Sequence, residues 1–411
     1  MTFDPATRIQ EHLVFGEFGD VNPSITDSST YTFMSPEKME ELFEHEIEGC
    51  FLYSRHWNPT NKFLADALAR MEDGEAAQVV GSGMAAIGTT LLQLCSQGDE
   101  IVAGRTIYGG TYALLKNLLP RFGITTRFVD VCDLDAVRAA ISDRTRVLYS
   151  ESISNPLLDV SDIPALASLT RERGIRLVVD NTFSPMILSP LRLGADVVVH
   201  SMTKFINGTS DCMAGCVVSS RDFICKLSDI NSGPSMLLGP VLDSFRAASV
   251  LKNLHSLHVR MRQHGQNAMV LARRLARRGL SVHYPGLPGH PQHALLDRLM
   301  NPGFGYGGIV AVDLGDHARA GRLMARMQEE KVGYLAVSLG YFKTLFSAPG
   351  SSTSSEIPAA EQHSMGLSEG LIRFSVGLDH DMEQTCDRIE MCLDELEASP
   401  QPPAAAARAS G

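Results

Sequence analysis

Short apolar runs alternate with longer amphipathic stretches through the middle of the chain. Such runs are typical of buried strands when polar or glycine-containing sequence bounds them. They lie at 77–80, 100–103, 126–131, 147–150, 176–179 and 197–200. Because sequence of helix length separates each run from the next, the pattern predicts an α/β fold: a mostly parallel sheet with helices on both faces.

The pattern changes on either side of this region. Residues 1–60 show little periodicity, which predicts an N-terminal arm that packs on something else, followed by a main domain at 61–255. Residues 256–396 combine a long basic helix, predicted over 259–278, with strand-like runs at 308–314 and 371–376, which indicates a smaller C-terminal α+β domain. The low-complexity tail at 397–411 is predicted to be disordered.

Charge and composition narrow the class of protein. The 411 residues include 36 basic and 47 acidic side chains, a net charge of −11 that argues against a nucleic-acid surface and against anionic membranes. No run approaches the ~18 apolar residues of a membrane span, and the N-terminus lacks a signal-peptide pattern. These features predict a cytoplasmic protein, whose 8 cysteines we expect to be reduced and structural.

One carboxylate and one lysine follow neighbouring predicted strands. Asp180 ends the run at 176–179, and Lys204 comes shortly after the run at 197–200. The carboxyl ends of parallel strands meet at one edge of a sheet, so we expect the two side chains to converge there. A buried carboxylate can keep a pyridine nitrogen protonated while a lysine forms a Schiff base, and the pair therefore predicts pyridoxal phosphate. The hydroxyls of Ser201 and Thr203 lie within reach of a phosphate.

A glycine-containing turn at 81–86 follows a predicted strand and opens a helix. It formally matches a dinucleotide-binding fingerprint, but the acidic residues with the required spacing, Asp99 and Glu100, come before the next strand and not after it. A phosphate seat formed by the backbone N–H groups of Gly83 and Met84 is the better interpretation. A nicotinamide oxidoreductase and a purely structural turn are the alternatives.

Seven ordered motifs resemble those of the Cys/Met-metabolism group of pyridoxal-phosphate enzymes. They lie at 53–60, 82–84, 108–111, 151–156, 180–183, 194–201 and 369–377. The group includes cystathionine γ-synthase, cystathionine γ-lyase, O-acetylhomoserine sulfhydrylase and methionine γ-lyase, and further segments look most like plant-type methionine γ-lyases. The resemblance covers residues 10–395 and implies the PLP-dependent transferase fold of type I.

The resemblance also implies a role for each matching residue. Lys204 would be the Schiff-base lysine and proton shuttle, Asp180 the partner of the ring nitrogen, and Tyr108 a residue that stacks on the ring and assists the leaving group. The other implied contacts are Ser201, Thr203 and the backbone of Gly83 and Met84 for the phosphate, Asn155 beside the ring hydroxyl, Tyr53 and Arg55 from a neighbouring subunit, and Arg373, Ser338 and Tyr53 around the substrate. Glu151 is a weaker candidate for orienting the site.

The implied reaction is γ-elimination on a γ-substituted L-amino acid, which gives 2-oxobutyrate, ammonia and a thiol. The alternative is γ-replacement, in which an activated homoserine is joined to a nucleophile, since the two reactions share nearly all their residues. The resemblance further implies a homodimer as catalytic unit within a homotetramer. We expect no metal, nucleic acid or membrane partner, and we interpret His255 and His258, and also Cys212 and Cys216, as packing or surface residues.

Two positions and one basic run add detail to this picture. Gly110 stands where microbial methionine γ-lyases carry a cysteine, although plant-type relatives share the glycine. Lys343 stands where many relatives carry a glutamate, and we hypothesise that it disfavours a substrate with a cationic distal end; exposure to solvent is the alternative. The basic run that includes Arg260 and Arg262 is expected to form a solvated helix face.

Overall fold

The computed structural model describes residues 3–13, 16, 19–44, 47, 49–352 and 357–398. Its larger sheet has seven strands in the order β1-β7-β6-β5-β4-β2-β3, and all pairs are parallel except those of β7, which runs antiparallel to both neighbours. The strands are β1 (Ala76–Val80), β2 (Glu100–Gly104), β3 (Thr125–Val129), β4 (Thr145–Glu151), β5 (Arg176–Asp180), β6 (Val197–Ser201) and β7 (Gly215–Ser219).

Helices occupy most of the connections between these strands, but the segments from β5 to β6 and from β6 to β7 consist of turns, so the helix expected between the runs at 176–179 and 197–200 is not formed. In the first half of the chain the helices are α1 (Pro5–Gln10), α2 (Pro36–Glu44), α3 (Pro59–Glu72), α4 (Gly83–Leu94), α5 (Gly109–Ala113), α6 (Leu134–Ala140) and α7 (Ile163–Arg173). A π-helical turn (Leu114–Leu118) and a 3₁₀ turn (Leu119–Phe122) extend α5. Next come α8 (Arg221–Leu227), α9 (Pro234–Leu238), α10 (Ser244–Leu254) and α11 (Leu257–Arg277).

Helices cover both faces of the larger sheet, as predicted. Successive residues of β6 show this, because side chains alternate between the two faces of a strand. His200 contacts Glu72 at the end of α3, whereas Ser201 lies against Gly83 at the start of α4. Strands β1, β2 and β7 are buried along their whole length, and β4, β5 and β6 are buried at all but one residue each, which explains their apolar sequence.

A second sheet has five strands in the order β10-β11-β12-β9-β8. They are β8 (Ser281–His283), β9 (Ile309–Asp313), β10 (Tyr334–Leu335), β11 (Leu345–Ser347) and β12 (Leu371–Ser375), accompanied by α12 (His293–Leu299), α13 (His317–Glu329), a 3₁₀ turn (Pro349–Ser351), α14 (Ala359–Ser364) and α15 (Met382–Ala398). The long amphipathic α11 packs against this sheet and α15. The predicted smaller α+β unit is therefore present.

The ends of the chain add two observations. Helix α1 packs on α3 through the buried residues Ala6 and Ile9, while Val21 and Met34 further along the predicted arm are almost fully exposed. Residues 397 and 398 end α15, and the rest of the predicted disordered tail lies outside the described residues. In the part of the chain that the structure describes, no helix combines the length and apolar character that a bilayer span requires.

Candidate active site

A cleft of about 210 Å³, open to solvent, lies at the carboxyl edge of the larger sheet. It collects the predicted residues Gly83, Met84, Tyr108, Asn155, Asp180, Ser201, Thr203, Lys204 and Arg373. It is also lined by Ser82, Ile87, Glu151, Ile153, Thr182, Phe183, Met213, Val337 and Leu339. The loops after β1, β2, β4, β5 and β6 thus converge, as the position of ligand sites in open parallel sheets predicts.

Lys204 follows β6 and projects into this cleft. Its Nζ donates a hydrogen bond to Ser338 Oγ at 3.1 Å, which places the predicted substrate residue Ser338 beside the lysine. Burial and, to a smaller extent, the positive charge of Arg373 lower the pKa of Lys204 to about 8. A sizeable fraction of this amine is therefore neutral near pH 8, as a nucleophile or base must be.

The loop that carries Lys204 is held from behind by α11. The guanidinium of Arg260 donates to the backbone carbonyls of Phe205, of Ile206 at 2.8 Å and of Asn253 at 2.9 Å. Arg260 is only partly exposed, and burial lowers its pKa to about 10. The expectation that Arg260 belongs to a solvated helix face is therefore wrong, because these carbonyls attract its charge inward.

Asp180 ends β5 and is buried beside a second carboxyl group. Its Oδ1 accepts from the backbone N–H and the hydroxyl of Thr182, at 2.9 and 2.5 Å, and its Oδ2 accepts from the Tyr149 hydroxyl at 3.3 Å. Burial raises the pKa of Asp180, although the hydrogen bonds from Thr182 oppose the rise. Asp180 is the register partner of Glu151 on β4. Burial and the negative charge of Asp180 raise the pKa of Glu151 well above its usual range.

Glu151 organises the cleft through the backbone. Its two carboxyl oxygens accept from the N–H groups of Tyr108 at 2.8 Å and Asn155 at 2.9 Å. One buried side chain thereby joins the loop after β2, which carries Tyr108, to the loop after β4, which carries Asn155. Because a buried N–H donor that loses its acceptor is costly, replacing Glu151 would loosen both loops.

The start of α4 has the features of an anion-binding site. Ser82 caps the helix by accepting from Ala85 N at 3.1 Å, so the N–H groups of Gly83 and Met84 at the first turn remain available to a ligand. A Cβ on Gly83 would lie 2.6 Å from Ser201 Cβ, which shows that only glycine allows α4 and β6 to approach this closely. The predicted phosphate residues therefore fit an anionic group at this point, although the Thr203 hydroxyl also accepts from Ala214 N at 3.0 Å.

Arg373 provides the cationic wall of the cleft from β12. It is buried, and its Nη1 donates to Asn155 Oδ1 at 2.9 Å. Burial lowers the pKa of Arg373 to about 10, so the group is charged at neutral pH. A buried cation in a cleft can bind a carboxylate with two parallel hydrogen bonds.

Tyr53 and Arg55 are not brought into the cleft of their own chain. Arg55 lies near Gly239 and packs over the Tyr53 ring at 5.8 Å, and it lines a separate small pocket with Trp57, Gln78 and other residues. Tyr53 is 43% exposed. The predicted contacts of these two residues would have to be made in another copy of the chain.

Two departures from the relatives also have a structural setting. Lys343 forms an ion pair with Asp379 at 3.3 Å and is not among the residues that line the cleft, so the geometry gives no basis for a contact with the substrate's distal end. Gly110 lies under the Tyr108 ring, where a Cβ would come within 2.5 Å of Tyr108 Cε1. The glycine therefore permits the observed position of the tyrosine.

Several residues that line the cleft were not predicted from the sequence. Thr182 could have been found, since it lies within the motif at 180–183 and binds Asp180. Met213 and Val337 at the rim follow no local pattern, because only the fold brings their segments to the cleft. Among the described residues, no group of His, Cys, Asp and Glu side chains is arranged to hold a metal ion.

Comparison with known proteins gives consistent relatives over nearly the whole chain. The model of the Cys/Met metabolism PLP-dependent enzyme family matches residues 8–390. The chain is 46% identical to methionine γ-lyase of Arabidopsis thaliana over 394 residues, which are 94% of this chain and 89% of that protein. It is 40% identical to L-methionine γ-lyase of Pseudomonas putida, over 88% of this chain and 89% of that protein.

A solved structure supports the same assignment. The putative O-acetylhomoserine (thiol)-lyase of Campylobacter jejuni superposes with a TM-score of 0.88 and 27% identity, over 95% of this chain and 100% of that one. Its structure contains a pyridoxyl-lysine monophosphate adduct. The predicted α/β fold of type I is thus confirmed, and so is the cofactor. The chain belongs to the Cys/Met metabolism family of PLP-dependent enzymes.

Proposed function

We propose that this protein is a carbon–sulfur lyase that catalyses γ-elimination on L-methionine or a similar γ-substituted amino acid. With water as co-substrate, methionine would yield 2-oxobutyrate, ammonia and methanethiol. The observation that carries the proposal is the cleft that Lys204, with its lowered pKa, lines together with Asp180 and the buried Arg373. The methionine γ-lyases among the relatives support the choice of reaction.

The residues present can hold the cofactor in one orientation. When bound, pyridoxal phosphate supplies an aldehyde for amines and a ring that withdraws electrons from the substrate. Asp180 would pair with the ring nitrogen, and Lys204 would bind the aldehyde carbon. The N–H groups of Gly83 and Met84 would hold the phosphate together with the hydroxyls of Ser201 and Thr203.

The substrate would be oriented by its carboxylate. Arg373 carries the positive charge for this contact, and Asn155 and Ser338 lie beside Arg373 and Lys204 respectively. The neutral amine of Lys204 would remove the Cα proton and later return it to another carbon. Tyr108, at the cleft opening, would protonate the leaving sulfur.

The wall of the cleft around the leaving group is apolar. Phe183, Leu339, Val337 and Met213 all line it, and the last two are exposed at the rim. Such a surface suits a thioether better than a charged group, because a charge would lose its hydration without a partner. This composition favours elimination from methionine over the use of a substrate with a charged distal end.

We also propose that the catalytic unit is a homodimer, within a homotetramer. Tyr53 and Arg55 lie outside the cleft of their own chain, on an arm that exposes Val21 and Met34, and would complete the phosphate and substrate contacts of a second copy. The boundaries at residues 60, 255 and 396 and a cytoplasmic location remain predictions.

A panel of substrates tests the proposed reaction. The purified holoenzyme is incubated with L-methionine, L-cystathionine and O-acetyl-L-homoserine, each with and without an added thiol, and 2-oxobutyrate and the coupled amino acids are measured. We expect methionine to give 2-oxobutyrate and methanethiol in equal amounts. If 2-oxobutyrate is scarce and thiol adducts of O-acetylhomoserine dominate, the protein is a γ-replacement transferase instead.

A further inference from the structure

Asp180 and Glu151 form a pair of buried carboxyl groups at the cleft. They are register partners on β5 and β4, and they are 8% and 7% exposed. Two adjacent carboxylates in a low-dielectric site do not readily ionise together, and burial raises the pKa of both groups, which favours a pair that shares one negative charge and one proton. The location of that charge matters, because only an ionised Asp180 can stabilise a proton on the cofactor nitrogen.

The hydrogen-bond donors around the pair differ. Glu151 accepts from two backbone N–H groups, whereas both oxygens of Asp180 accept from side-chain hydroxyls. Across the described chain, the donors to the Asp180 carboxylate are Thr182 and Tyr149. Both hydrogen bonds from Thr182 go to Oδ1, and the Tyr149 hydroxyl is the donor to Oδ2.

Tyr149 reaches Asp180 from inside the protein. It lies on β4 two residues before Glu151, so both side chains point to the same face of the sheet. Its side chain is fully buried and is not among the residues that line the cleft. Burial, together with the charges of Asp180 and Glu151, raises the pKa of Tyr149 well above its usual range, and the hydroxyl therefore keeps its proton.

The other ionisable groups near the pair lie in different directions from it. His200 lies on the opposite face of the sheet, where its Nε2 contacts the Glu72 carboxylate at 2.7 Å. Lys204 and Arg373 approach from the cleft. Both line the cleft, where the cofactor and the substrate would engage them, whereas Tyr149 is fully buried behind it.

We propose that Tyr149 is a positioning residue that keeps the negative charge of the Glu151–Asp180 pair on Asp180. The proposal rests on the proposed function, in which Asp180 pairs with the cofactor nitrogen. The Tyr149 hydroxyl donates to Asp180 and not to Glu151, so it stabilises the arrangement with the proton on Glu151. Without this donor the charge moves toward Glu151, the ring nitrogen loses its proton, and the ring withdraws electrons less strongly.

The substitution Tyr149→Phe removes the hydroxyl and keeps the ring. Two readouts are followed in the holoenzyme: the pH titration of the cofactor's visible absorbance, and the exchange of the α-proton of L-norleucine for deuterium, which requires no leaving group. We expect the titration midpoint to rise by about one unit and the exchange to slow about tenfold. Tyr112→Phe is the matched control, because Tyr112 is also buried but donates to Glu361 at 2.7 Å, and it should change neither readout.

A second variant decides the question if Tyr149→Phe does not fold. Site-specific replacement of Tyr149 by 3-fluorotyrosine keeps the hydroxyl and makes it a stronger donor, so the titration midpoint should fall instead of rise. Unchanged midpoints in both variants, or in the fluorinated variant when it alone folds, would overturn the role of Tyr149. Absence of the absorbance band from the wild-type protein supplied with cofactor would instead contradict the proposed function.

Discussion

At the scale of the residue, burial changes the chemistry of Lys204 most directly. An amine with a pKa of about 8 is about half neutral at pH 8, whereas an ordinary lysine is almost entirely charged there. The pKa of Lys204 is lowered mainly because the side chain is buried, and further because the positive charge of Arg373 is nearby. Lys204 is thereby prepared to react without a separate base.

The pH dependence of cofactor uptake tests this shift. Only the neutral amine attacks an aldehyde, so the rate of uptake by the apoenzyme should rise with pH and reach half its maximum near 8. Arg373→Met removes the neighbouring charge and should move the midpoint upward. Stopped-flow absorbance measures both rates, and a wild-type midpoint near 10 would show that Lys204 is not perturbed.

Gly110 offers a second test at this scale. In Gly110→Ala the new Cβ would lie 2.5 Å from Tyr108 Cε1, and the exposed end of the tyrosine ring must move. We expect stability to change by no more than about 0.5 kcal/mol and turnover of methionine to fall about tenfold. Gly88→Ala in α4 is the control, since its Cβ would meet nothing within 4 Å. Equal turnover in both variants would mean that the position of Tyr108 does not matter.

The role of a residue could be predicted from the sequence only where the residues next to it in the chain form a recognisable pattern. Asp180 and Lys204 were predictable because each follows an apolar strand, and strand ends converge in a parallel sheet. Tyr149 sits inside an apolar strand and Arg260 in a basic helical run, so nothing nearby in sequence distinguishes them. Asp180 is 31 residues from Tyr149, and the Phe205 and Ile206 carbonyls are 55 and 54 residues from Arg260, so only the fold reveals these contacts.

At the scale of the element, the loop between β6 and β7 depends on α11. Arg260 binds carbonyls on both the Lys204 loop and the end of α10, so one side chain joins three segments. This contact explains how a loop can hold a reactive lysine in a defined position. The rigidity of the loop comes from an element that begins more than 50 residues later in the chain.

Arg260→Leu should therefore weaken both the fold and the cofactor site. Loss of the charged donor leaves buried carbonyls without partners, and we expect the free energy of unfolding to fall by about 2 kcal/mol. Cofactor affinity should fall as well, because the Lys204 loop is released. Chemical denaturation and cofactor titration measure the two effects. Arg262→Leu on the exposed side of the same helix is the control, and equal losses in both variants would refute a specific clamp.

Strands were easier to predict than their order. All six apolar runs of the main sheet are strands in the structure, with ends shifted by at most two residues. The prediction did not include β7 (Gly215–Ser219), which is antiparallel and inserts between β1 and β6. Its sequence is short and follows the Lys204 loop directly, without a helix, so the alternating pattern that identified the other strands does not apply to it.

At the scale of the whole molecule, the active site is assembled from distant parts. The larger sheet provides Asp180 and Lys204, the smaller sheet provides Arg373, and the arm with Tyr53 and Arg55 lies outside the cleft. The cleft is consequently sensitive to the packing of the two sheets. In our proposal it is complete only when a second copy contributes its arm.

Complementation between inactive variants tests the shared site. Arg55→Ala and Lys204→Ala should each be inactive or nearly so, for different reasons. When the two are unfolded together and refolded, a mixed dimer contains one site with an intact Lys204 from one chain and an intact Arg55 from the other. We expect activity to return to roughly a quarter of the wild-type value, since half of the dimers are mixed and each has one intact site. No recovery in a verified mixed dimer would place both residues in the same subunit's site.

The most direct test of the central claim is to trap the cofactor on the protein. The holoenzyme is reduced with borohydride, digested, and analysed by mass spectrometry for the peptide that carries a pyridoxyl phosphate group. The cleft geometry predicts that the group is found on Lys204 and that Lys204→Ala carries none. A modified peptide that contains a different lysine would contradict the assignment of this cleft as the active site.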